Sequence, residues 1–364
     1  MRILHISSAK TFGGGERHLV DLCRELHVRG HEVFVAVRPS SAWQERLDFL
    51  PDGRILHVSI RNSFGMFSAK RMARFITANN IQIVHAHVAR DYLAASVATR
   101  SAGNARMVLT RHVMFPMKPF HRFALRNVKA AIAVSPPVRD QMAKIFLPDK
   151  IRLIPNGITM STFPTDASEG EAFRREHGLE SDVPLVSTLG ELKPLKGQRD
   201  FVLAANEVLK QIPNCRFVIA GTDNSIDQRF RRELKRLVRV LDIGDRFLWL
   251  DWLNDIGPLL SATDIFVSPS HTESFGLAIL DAMAAATPII ATDTDGAREL
   301  LSGQDALVPI KDPLALAEKI IRLLNDNGAR ARLGEHLSAS ARERFGLPLM
   351  VDATEALYRE VVAS

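Results

Sequence analysis

Apolar residues in the first half of the chain alternate between short continuous runs and longer stretches with helical spacing. The short runs are rich in β-branched residues and occupy 2–7, 31–37, 55–60, 81–87, 106–112 and 130–135. Such runs predict parallel strands that are buried on both faces. Between the first two runs, four apolar residues recur at helical spacing: Leu19, Leu22, Cys23 and Leu26. Gly30 ends that helix, so the pattern predicts a β-α-β unit.

The alternation restarts in the second half of the chain. Apolar runs occupy 184–190, 215–221, 246–250, 264–270, 288–292 and 306–310. The segment 152–173 between the two halves contains Pro155, the pair Asn156-Gly157 and Pro164, which is typical of an interdomain connection.

The pattern therefore predicts an α/β protein with two doubly wound, Rossmann-like domains that face each other across a cleft. We expect an N-terminal domain over 1–165, a C-terminal domain over 166–345, and a helix over 346–364 that packs back on the first domain. Ligands of such sheets bind beyond the carboxyl ends of the strands, so the cleft is where we expect the chemistry.

Composition agrees with a two-domain globular protein. The chain has 364 residues, of which 46% are hydrophobic and 24% are charged. No run reaches the roughly 18 apolar residues of a membrane span, and the start, "MRILHISSAK", resembles a strand rather than a signal peptide. We expect a cytoplasmic protein. Cys23 and Cys215 lie far apart in apolar runs, which predicts two buried thiols rather than a disulfide.

The net charge of +6 is unevenly distributed. Residues 61–130 contain twelve Arg and Lys residues and a single acid, Asp91. Such a field attracts phospholipid head groups, phosphorylated substrates or nucleic acid; the alternative is an ordinary solvated surface. The sequence contains no nucleic-acid recognition motif, so nucleic acid is not the expected partner.

The segment "HTESFGLAILDAMAAATPII" (271–290) predicts an anion site. A buried strand leads into a short loop, and a helix follows. The first turn of a helix has free N–H groups and the positive end of the dipole. Because Gly276 lets a ligand approach the backbone, we expect the amides of Phe275, Gly276 and Leu277 to hold a diphosphate.

Two acids flank this helix start. Glu273 precedes it, and Asp281 follows eight positions later. Together they suit a nucleotide sugar, with Glu273 accepting hydrogen bonds from the sugar and Asp281 from the ribose diol. The alternative is that Glu273 only stabilises the helix start and Asp281 lies on a solvated face.

The stretch "SPSHTESFGLAILDAMAAATPIIATDTDGARELL" resembles the donor signature of the family 4 glycosyltransferases, which are retaining enzymes of the GT-B fold. Further segments resemble that family in the same order over nearly the whole chain: "FGGGERHLVDLCREL", "IVHAH", "VLTRH", "AIAVSPPVRDQM", "IRLIPNGI" and "GELKPLKGQRDFVLAA". The resemblance implies a hexosyltransferase that uses a nucleotide-diphosphate sugar and needs neither cofactor nor metal. A lipid-linked or cell-envelope glycan, as in polysaccharide or lipopolysaccharide biosynthesis, is the expected acceptor.

The resemblance also implies roles for single residues. Glu273 contacts the donor sugar, and Ser274 to Leu277 bind sugar and phosphate. Lys196 neutralises the diphosphate leaving group. His112, at the end of the strand "RMVLTRH", contacts the transferred sugar and positions the acceptor, while His85 and His87 stay open between lining the cleft and packing.

The chain departs from the family pattern at two positions. Asp281 stands where the family usually has Glu, which shortens the reach to the ribose. Glu191 stands where the family commonly has Arg, and we expect it to turn away from the diphosphate or to meet Lys193.

The turn "FGGGERH" has the pattern G-x-G-x-x-H, which differs from a dinucleotide fingerprint. That fingerprint needs a third glycine at the position of His18 and an acid after the second strand, where Arg38 stands. NAD is therefore not predicted. The resemblance implies that Gly14 and Gly15 close over the donor phosphate; a merely flexible turn is the alternative.

In the segment "RHVMFPMKPFHRFALRN" (111–127), aromatic and other apolar residues interleave with cations. This composition predicts an acceptor-binding or membrane-contacting face, peripheral to the inner side of the cytoplasmic membrane. The residues expected to form it are Arg111, Phe115, Lys118, Arg122 and Arg126. A core helix with a basic outer face is the alternative.

Two other functions remain open from the sequence. One is a nucleotide-sugar epimerase of the same fold, and the other is a non-catalytic protein that binds anionic polymers.

Overall fold

The computed structural model describes residues 1–60, 65–160, 163 and 168–364. Arg61 of the basic stretch, Pro164 and the predicted domain boundary at 165/166 lie outside the described residues. The chain forms two compact units. The first comprises Met1–Gly157 with Leu347–Ser364, and the second comprises Ile158–Gly346.

The described part of the first unit contains a parallel sheet of seven strands in the order β3-β2-β1-β4-β5-β6-β7. The strands are β1 (Arg2–Ser7), β2 (Glu32–Val37), β3 (Ile55–His57), β4 (Ile83–Ala86), β5 (Arg106–Arg111), β6 (Val128–Ala133) and β7 (Ile151–Leu153). The strand order reverses at β1, which lies between β2 and β4, so the sheet is doubly wound. Five of these strands lie in the predicted runs, and β6 overlaps its run but begins two residues earlier. The sequence pattern did not predict β7, because most of this strand falls in the segment 152–173 that was interpreted as the interdomain connection.

Five helices of this unit precede the second unit in the described chain. They are α1 (Gly14–Val28), α2 (Met66–Ala78), α3 (Tyr92–Ala102), α4 (His121–Ala124) and α5 (Pro136–Met142). The four apolar residues predicted to face inward from α1 are all fully buried. The helix ends just before Gly30, whose φ of 82° is in the left-handed region.

The described part of the second unit contains a parallel sheet of six strands in the order β10-β9-β8-β11-β12-β13. The strands are β8 (Leu185–Leu189), β9 (Arg216–Ala220), β10 (Phe247–Leu250), β11 (Ile265–Ser268), β12 (Ile289–Thr292) and β13 (Leu307–Val308). All six lie in the predicted runs. The helices are α6 (Ser168–Glu176), α7 (Gln198–Leu209), α8 (Arg229–Val240), α9 (Gly257–Ala262), α10 (Leu277–Ala284), α11 (Asp295–Leu300), α12 (Pro313–Leu324) and α13 (Asn327–Phe345).

The last helix, α14 (Leu347–Ala363), belongs to the first unit. Its buried residues recur at three- and four-residue intervals: Leu347, Met350, Val351, Thr354, Leu357, Tyr358 and Val361. This stripe joins the core that the inward face of α1 also forms. The Tyr358 hydroxyl lies 2.5 Å from Nδ1 of His85 in β4. The units thus divide at 157/158 and 346/347, whereas the sequence divides the chain at 165/166 and 345/346.

Cys23 and Cys215 are buried free thiols, as predicted. Burial raises the pKa of Cys215 to about 12, so it stays protonated. Among the helices that the structure describes, none combines the length and apolar character needed to cross a membrane.

We predict that Tyr358→Phe destabilises the first unit by about 1–3 kcal/mol, because it leaves Nδ1 of buried His85 without its partner. The thermal unfolding midpoint measures this change. Leu349→Ala, on the same helix but half exposed, is the control and should cost less than about 0.5 kcal/mol. Equal shifts for the two variants would contradict the assigned contact.

Candidate active site

Two neighbouring strands of the second unit deliver the predicted donor loops to one edge of the sheet. β8 and β11 pair in parallel, with Ile265 opposite Val186 and Phe266 opposite Ser187. Their carboxyl ends therefore point the same way, and the loops that follow them lie side by side. The amide of His271 in the second loop donates to the Leu195 carbonyl in the first, at 2.9 Å.

Lys196 and Glu273 meet at this edge. Nζ of Lys196 donates to Oε2 of Glu273 at 2.5 Å, and both side chains are partly buried. Ser270 Oγ donates to the same carboxylate oxygen at 3.4 Å. The sequence predicts separate roles for Lys196 and Glu273 and does not predict that they pair. A lysine has three donor hydrogens, so its ammonium can hold the carboxylate and still bind a phosphate oxygen.

Gly197 permits the close approach of the two loops. Its φ is 69°, and a Cβ at this position would lie 1.8 Å from the Pro269 carbonyl oxygen. Only glycine fits there, because the obstacle is backbone. A second link follows on the next turn, where His271 Nε2 lies 2.7 Å from Oδ2 of Asp200 in α7. The sequence analysis did not single out Gly197, Asp200 or His271.

The N-terminus of α10 has the features of an anion site. Gly276 has a left-handed φ of 101° and precedes the first helical residue, Leu277. Within the described structure, the amides of Phe275, Gly276 and Leu277 have no hydrogen-bond acceptor, so they are available to an anion. The Phe275 side chain is buried and packs edge-to-face on Phe345 at 5.7 Å. Only the backbone of Phe275 can therefore face a ligand, while Ser274 is half-buried in the same loop.

The two departures from the family pattern have different outcomes. Asp281 is only 4% exposed, so the alternative of a solvated face is wrong. Its contact with a ribose stays a prediction. Glu191 meets Lys193, as expected, with Nζ 2.5 Å from Oε2. Burial alone would raise the pKa of Glu191, but the bond from Lys193 and further cationic contacts lower it below its usual value.

In the first unit, the glycine-rich turn lies against His112. His112 follows the last residue of β5, and a Cβ on Gly15 would be 3.5 Å from Cδ2 of its ring. Gly14 is the first residue of α1. The structure thus brings together His112 and the turn that the sequence assigned separately to the site. Their contacts with donor and acceptor stay predictions.

Four further histidines form a cluster with His112, and the rings of His18 and His87 lie next to it. The sequence spacing did not reveal this cluster. His5, His18, His85 and His87 are all buried. Burial lowers the pKa of His5 to about 3 and that of His18 to about 4, and it also lowers the pKa of the other three far below the usual value. The five rings are therefore neutral at physiological pH.

His85 and His87 differ in their hydrogen bonds. The sequence left open for both whether they line the cleft or pack in the core. Both ring nitrogens of His85 are engaged, Nδ1 with the Tyr358 hydroxyl and Nε2 with Thr110 Oγ1 at 2.7 Å. His85 is therefore a packing residue. His87 is bonded through Nε2 to Nδ1 of His5 at 3.0 Å, and its own Nδ1 has no partner among the described residues.

The aromatic and basic residues after β5 are exposed, with one exception. Phe115 is 70% and Phe123 78% exposed, and Lys118, Arg122 and Arg126 are also exposed. The alternative of a core helix is therefore wrong for these side chains. The exception is Arg111, which is buried and donates through its guanidinium to the Phe115 carbonyl. Arg111 is thus a buried residue that bonds to the backbone of the loop, and it is not part of the exposed face that the sequence predicted.

Two family models match consecutive parts of the chain and together cover most of it. Glycosyltransferase Family 4 matches residues 12–162, and Glycosyl transferases group 1 matches residues 169–344. The chain belongs to the group 1, family 4 glycosyltransferases. This glycosyltransferase is 28% identical to D-inositol 3-phosphate glycosyltransferase from Xylanimonas cellulosilytica, over 92% of this chain and 88% of the relative. It is 24% identical to the lipopolysaccharide core biosynthesis glycosyltransferase LpsE from Rhizobium meliloti, over 100% and 99%.

A solved structure confirms the fold class. HepE from Anabaena, in complex with UDP, superposes on this glycosyltransferase with a TM-score of 0.86 over 99% of this chain and 100% of HepE, at 20% identity. The fold is GT-B, as predicted, with two parallel-sheet α/β domains.

We predict that Gly197→Ala destabilises the second unit by at least about 3 kcal/mol, because the new Cβ collides with the Pro269 carbonyl. Gly178→Ala is the matched control. Gly178 also has a left-handed φ, 65°, but a Cβ there meets nothing within 4 Å, so the cost is about 1 kcal/mol. Thermal unfolding of both variants measures the difference. Indistinguishable midpoints would show that the loops do not approach as described.

Proposed function

We propose that this glycosyltransferase is a retaining enzyme that takes its sugar from a nucleoside-diphosphate sugar, with a uridine donor as the first to test. The observation that carries the proposal is the Lys196–Glu273 pair beside the open amides at the start of α10. The complex of HepE with UDP supports the choice of nucleotide.

The cation and the helix terminus suit the two phosphates of a donor. The N-terminus of a helix carries the equivalent of about half a positive charge, and the Lys196 ammonium adds a full charge. As the glycosidic bond breaks, negative charge collects on the diphosphate leaving group. Hydrogen-bond donors and cations that are already in position before the reaction stabilise that charge most effectively.

Glu273 supplies the complementary function. A carboxylate only accepts hydrogen bonds, and sugar hydroxyls are donors. Without a donor sugar, Lys196 and Ser270 satisfy this carboxylate. When a phosphate draws the Lys196 ammonium, carboxylate oxygens become available to the sugar. Hydrogen bonds from the sugar hydroxyls then replace the bond lost from Lys196, so the partly buried carboxylate is not left without donors.

His112 is the proposed positioning residue in the first unit. The acceptor hydroxyl oxygen bonds to the anomeric carbon on the face that the diphosphate leaves, and its proton passes to a donor phosphate oxygen. This order retains the anomeric configuration. Burial lowers the pKa of His112 well below its usual value, so the neutral ring can hold the sugar or acceptor by a hydrogen bond without competing for that proton.

We predict that Lys196→Ala and Glu273→Gln each lower kcat/KM for sugar transfer at least about 100-fold, since each removes a charged contact to the donor. The assay is release of UDP with a sugar acceptor, and NMR of the product gives its anomeric configuration. Lys210→Ala is the matched control, because Lys210 also pairs with a glutamate, Glu207, but on the exposed side of α7.

Three results would contradict the proposal. They are full activity in the Glu273→Gln variant, an inverted product, and conversion of the donor to an isomer without any acceptor. The last result would favour the epimerase-type function instead.

The acceptor is proposed to be a lipid-linked or envelope glycan presented at an anionic membrane surface. The aromatic–basic face supports this assignment; it comprises Phe115, Lys118, Phe120, Arg122, Phe123 and Arg126, all exposed. Aromatic side chains each bury about 150–250 Å² when they insert, and each cation near an anionic surface adds about 1 kcal/mol. The relative from Rhizobium meliloti, named for lipopolysaccharide core biosynthesis, agrees with this kind of acceptor.

We predict that the native chain co-sediments with phosphatidylglycerol vesicles and not with phosphatidylcholine vesicles. Neutralising Lys118, Arg122 and Arg126 together should weaken binding roughly 100-fold, because three favourable charge contacts are lost. Phe115→Ser with Phe123→Ser should also release the protein. Ile226→Ser removes an apolar side chain that is equally exposed in the second unit, and it should leave binding unchanged. Equal binding to both vesicle types would contradict the proposal.

A further inference from the structure

Three histidines from separate segments of the first unit come together beside the glycine-rich turn. His18 lies in α1, His87 follows β4, and His112 follows β5. Their ring centroids are 4.8 Å (His18–His112), 5.7 Å (His18–His87) and 5.9 Å (His87–His112) apart. One ring nitrogen from each histidine lies within 4.8 Å of one from each of the others.

Each of these histidines has a buried ring nitrogen without a partner among the described residues. The atoms are Nδ1 of His18, Nδ1 of His87 and Nε2 of His112. The side chain of Asn156 also lies close to the His18 ring. His18 is 5% and His87 3% exposed, so water does not reach them freely. A buried polar atom without a partner costs about 1–3 kcal/mol, and three together indicate a ligand that they share.

A neighbouring triad lacks this property. His5, His85 and His87 are also close together. However, both nitrogens of His85 are engaged by Tyr358 and Thr110, so that triad is a hydrogen-bonded packing cluster. His5 contributes in a different way, because its hydrogen bond orients the His87 ring. If His87 donates from Nε2 to Nδ1 of His5, its own Nδ1 keeps the lone pair that a ligand would need, and the bond fixes the ring orientation.

The chemistry of the three groups selects the class of ligand. Imidazole nitrogens prefer zinc, copper, nickel and related ions, whereas magnesium, calcium and manganese prefer oxygen ligands. With metal–nitrogen bonds of about 2.0–2.1 Å, three imidazoles around one ion place their centroids roughly 5–6 Å apart. These rings, at 4.8–5.9 Å, are close to that spacing. Burial keeps the rings neutral, which is the form that binds a metal.

We propose that His18, His87 and His112 bind one divalent first-row transition-metal ion of the zinc class, leaving a fourth position open. The family resemblance implies that no metal is needed, and the three histidines are far apart along the chain, so their sequence spacing does not reveal the site. The binding itself does not depend on the proposed transfer reaction. Because His112 is also the residue proposed to contact the sugar, the bound ion should inhibit transfer, and this consequence does rest on the proposed function.

The test is titration of the full, tag-free chain with Co²⁺ and then Zn²⁺ after treatment with a chelator. We expect one ion per chain, a visible Co²⁺ spectrum of tetrahedral type, and displacement of Co²⁺ by Zn²⁺. His18→Gln and His112→Gln should each weaken binding at least about 100-fold, since each removes a ligand. His336→Gln, an exposed histidine of the second unit, is the control and should bind as the native chain does.

Circular dichroism and the thermal midpoint first establish that each variant is folded. If His18→Gln does not fold, His112→Gln decides the result, because His112 is less buried. Failure of the native chain to bind either ion, or native affinity in a folded variant, would overturn the proposal. A Zn²⁺-bound chain whose transfer activity is unchanged would overturn only the inhibition. Absence of any transfer activity would leave the binding result intact.

Discussion

The approach of Gly197 to the Pro269 carbonyl is the constraint on which the site in the second unit depends. The left-handed backbone at Gly197 turns the chain from the loop after β8 into α7 and places it directly against the loop after β11. The bonds of His271 to Leu195 and to Asp200 hold the same two loops together. Lys196 and Glu273, which flank this contact, consequently meet although they lie in two separate loops. The site is thus a product of backbone packing rather than of its charged side chains alone.

The charges at this edge are arranged in pairs. Glu191 would repel a diphosphate if it stood alone, but Lys193 compensates it, and Lys196 is held by Glu273. These four charged side chains are thus paired within the part of the chain that the structure describes, and an isolated charge in a partly buried place would be costly. Such pairing also makes the site selective in the ligand that it binds. A phosphate must offer Lys196 as much as Glu273 does, and a sugar hydroxyl must compensate Glu273 in return, so a ligand that has both groups is favoured over either group alone.

The sequence predicted well those features that depend on local periodicity. Most strands were found from their apolar runs, the inward face of α1 was identified, and the start of α10 was placed correctly after Gly276. That an anion binds at this helix start stays a prediction. Features that arise from contacts distant in sequence were not predictable. Lys196 and Glu273 are 77 residues apart, for example. The cluster that contains His112 draws on four segments of the chain, since His85 and His87 lie in the same one.

The two units contribute different kinds of chemistry, and this difference constrains the division of labour in the proposed reaction. The five clustered histidines of the first unit are neutral, because burial lowers the pKa of His5, His18, His85, His87 and His112 below the usual value. They can orient a hydroxyl, or hold a metal ion, but they contribute no positive charge. Stabilisation of a departing diphosphate therefore has to come from the second unit, where the Lys196 ammonium and the open amides before α10 lie on one sheet edge. Positioning by neutral groups and stabilisation by charged groups are thus assigned to separate parts of the fold, and a substitution in one should leave the other's contribution in place.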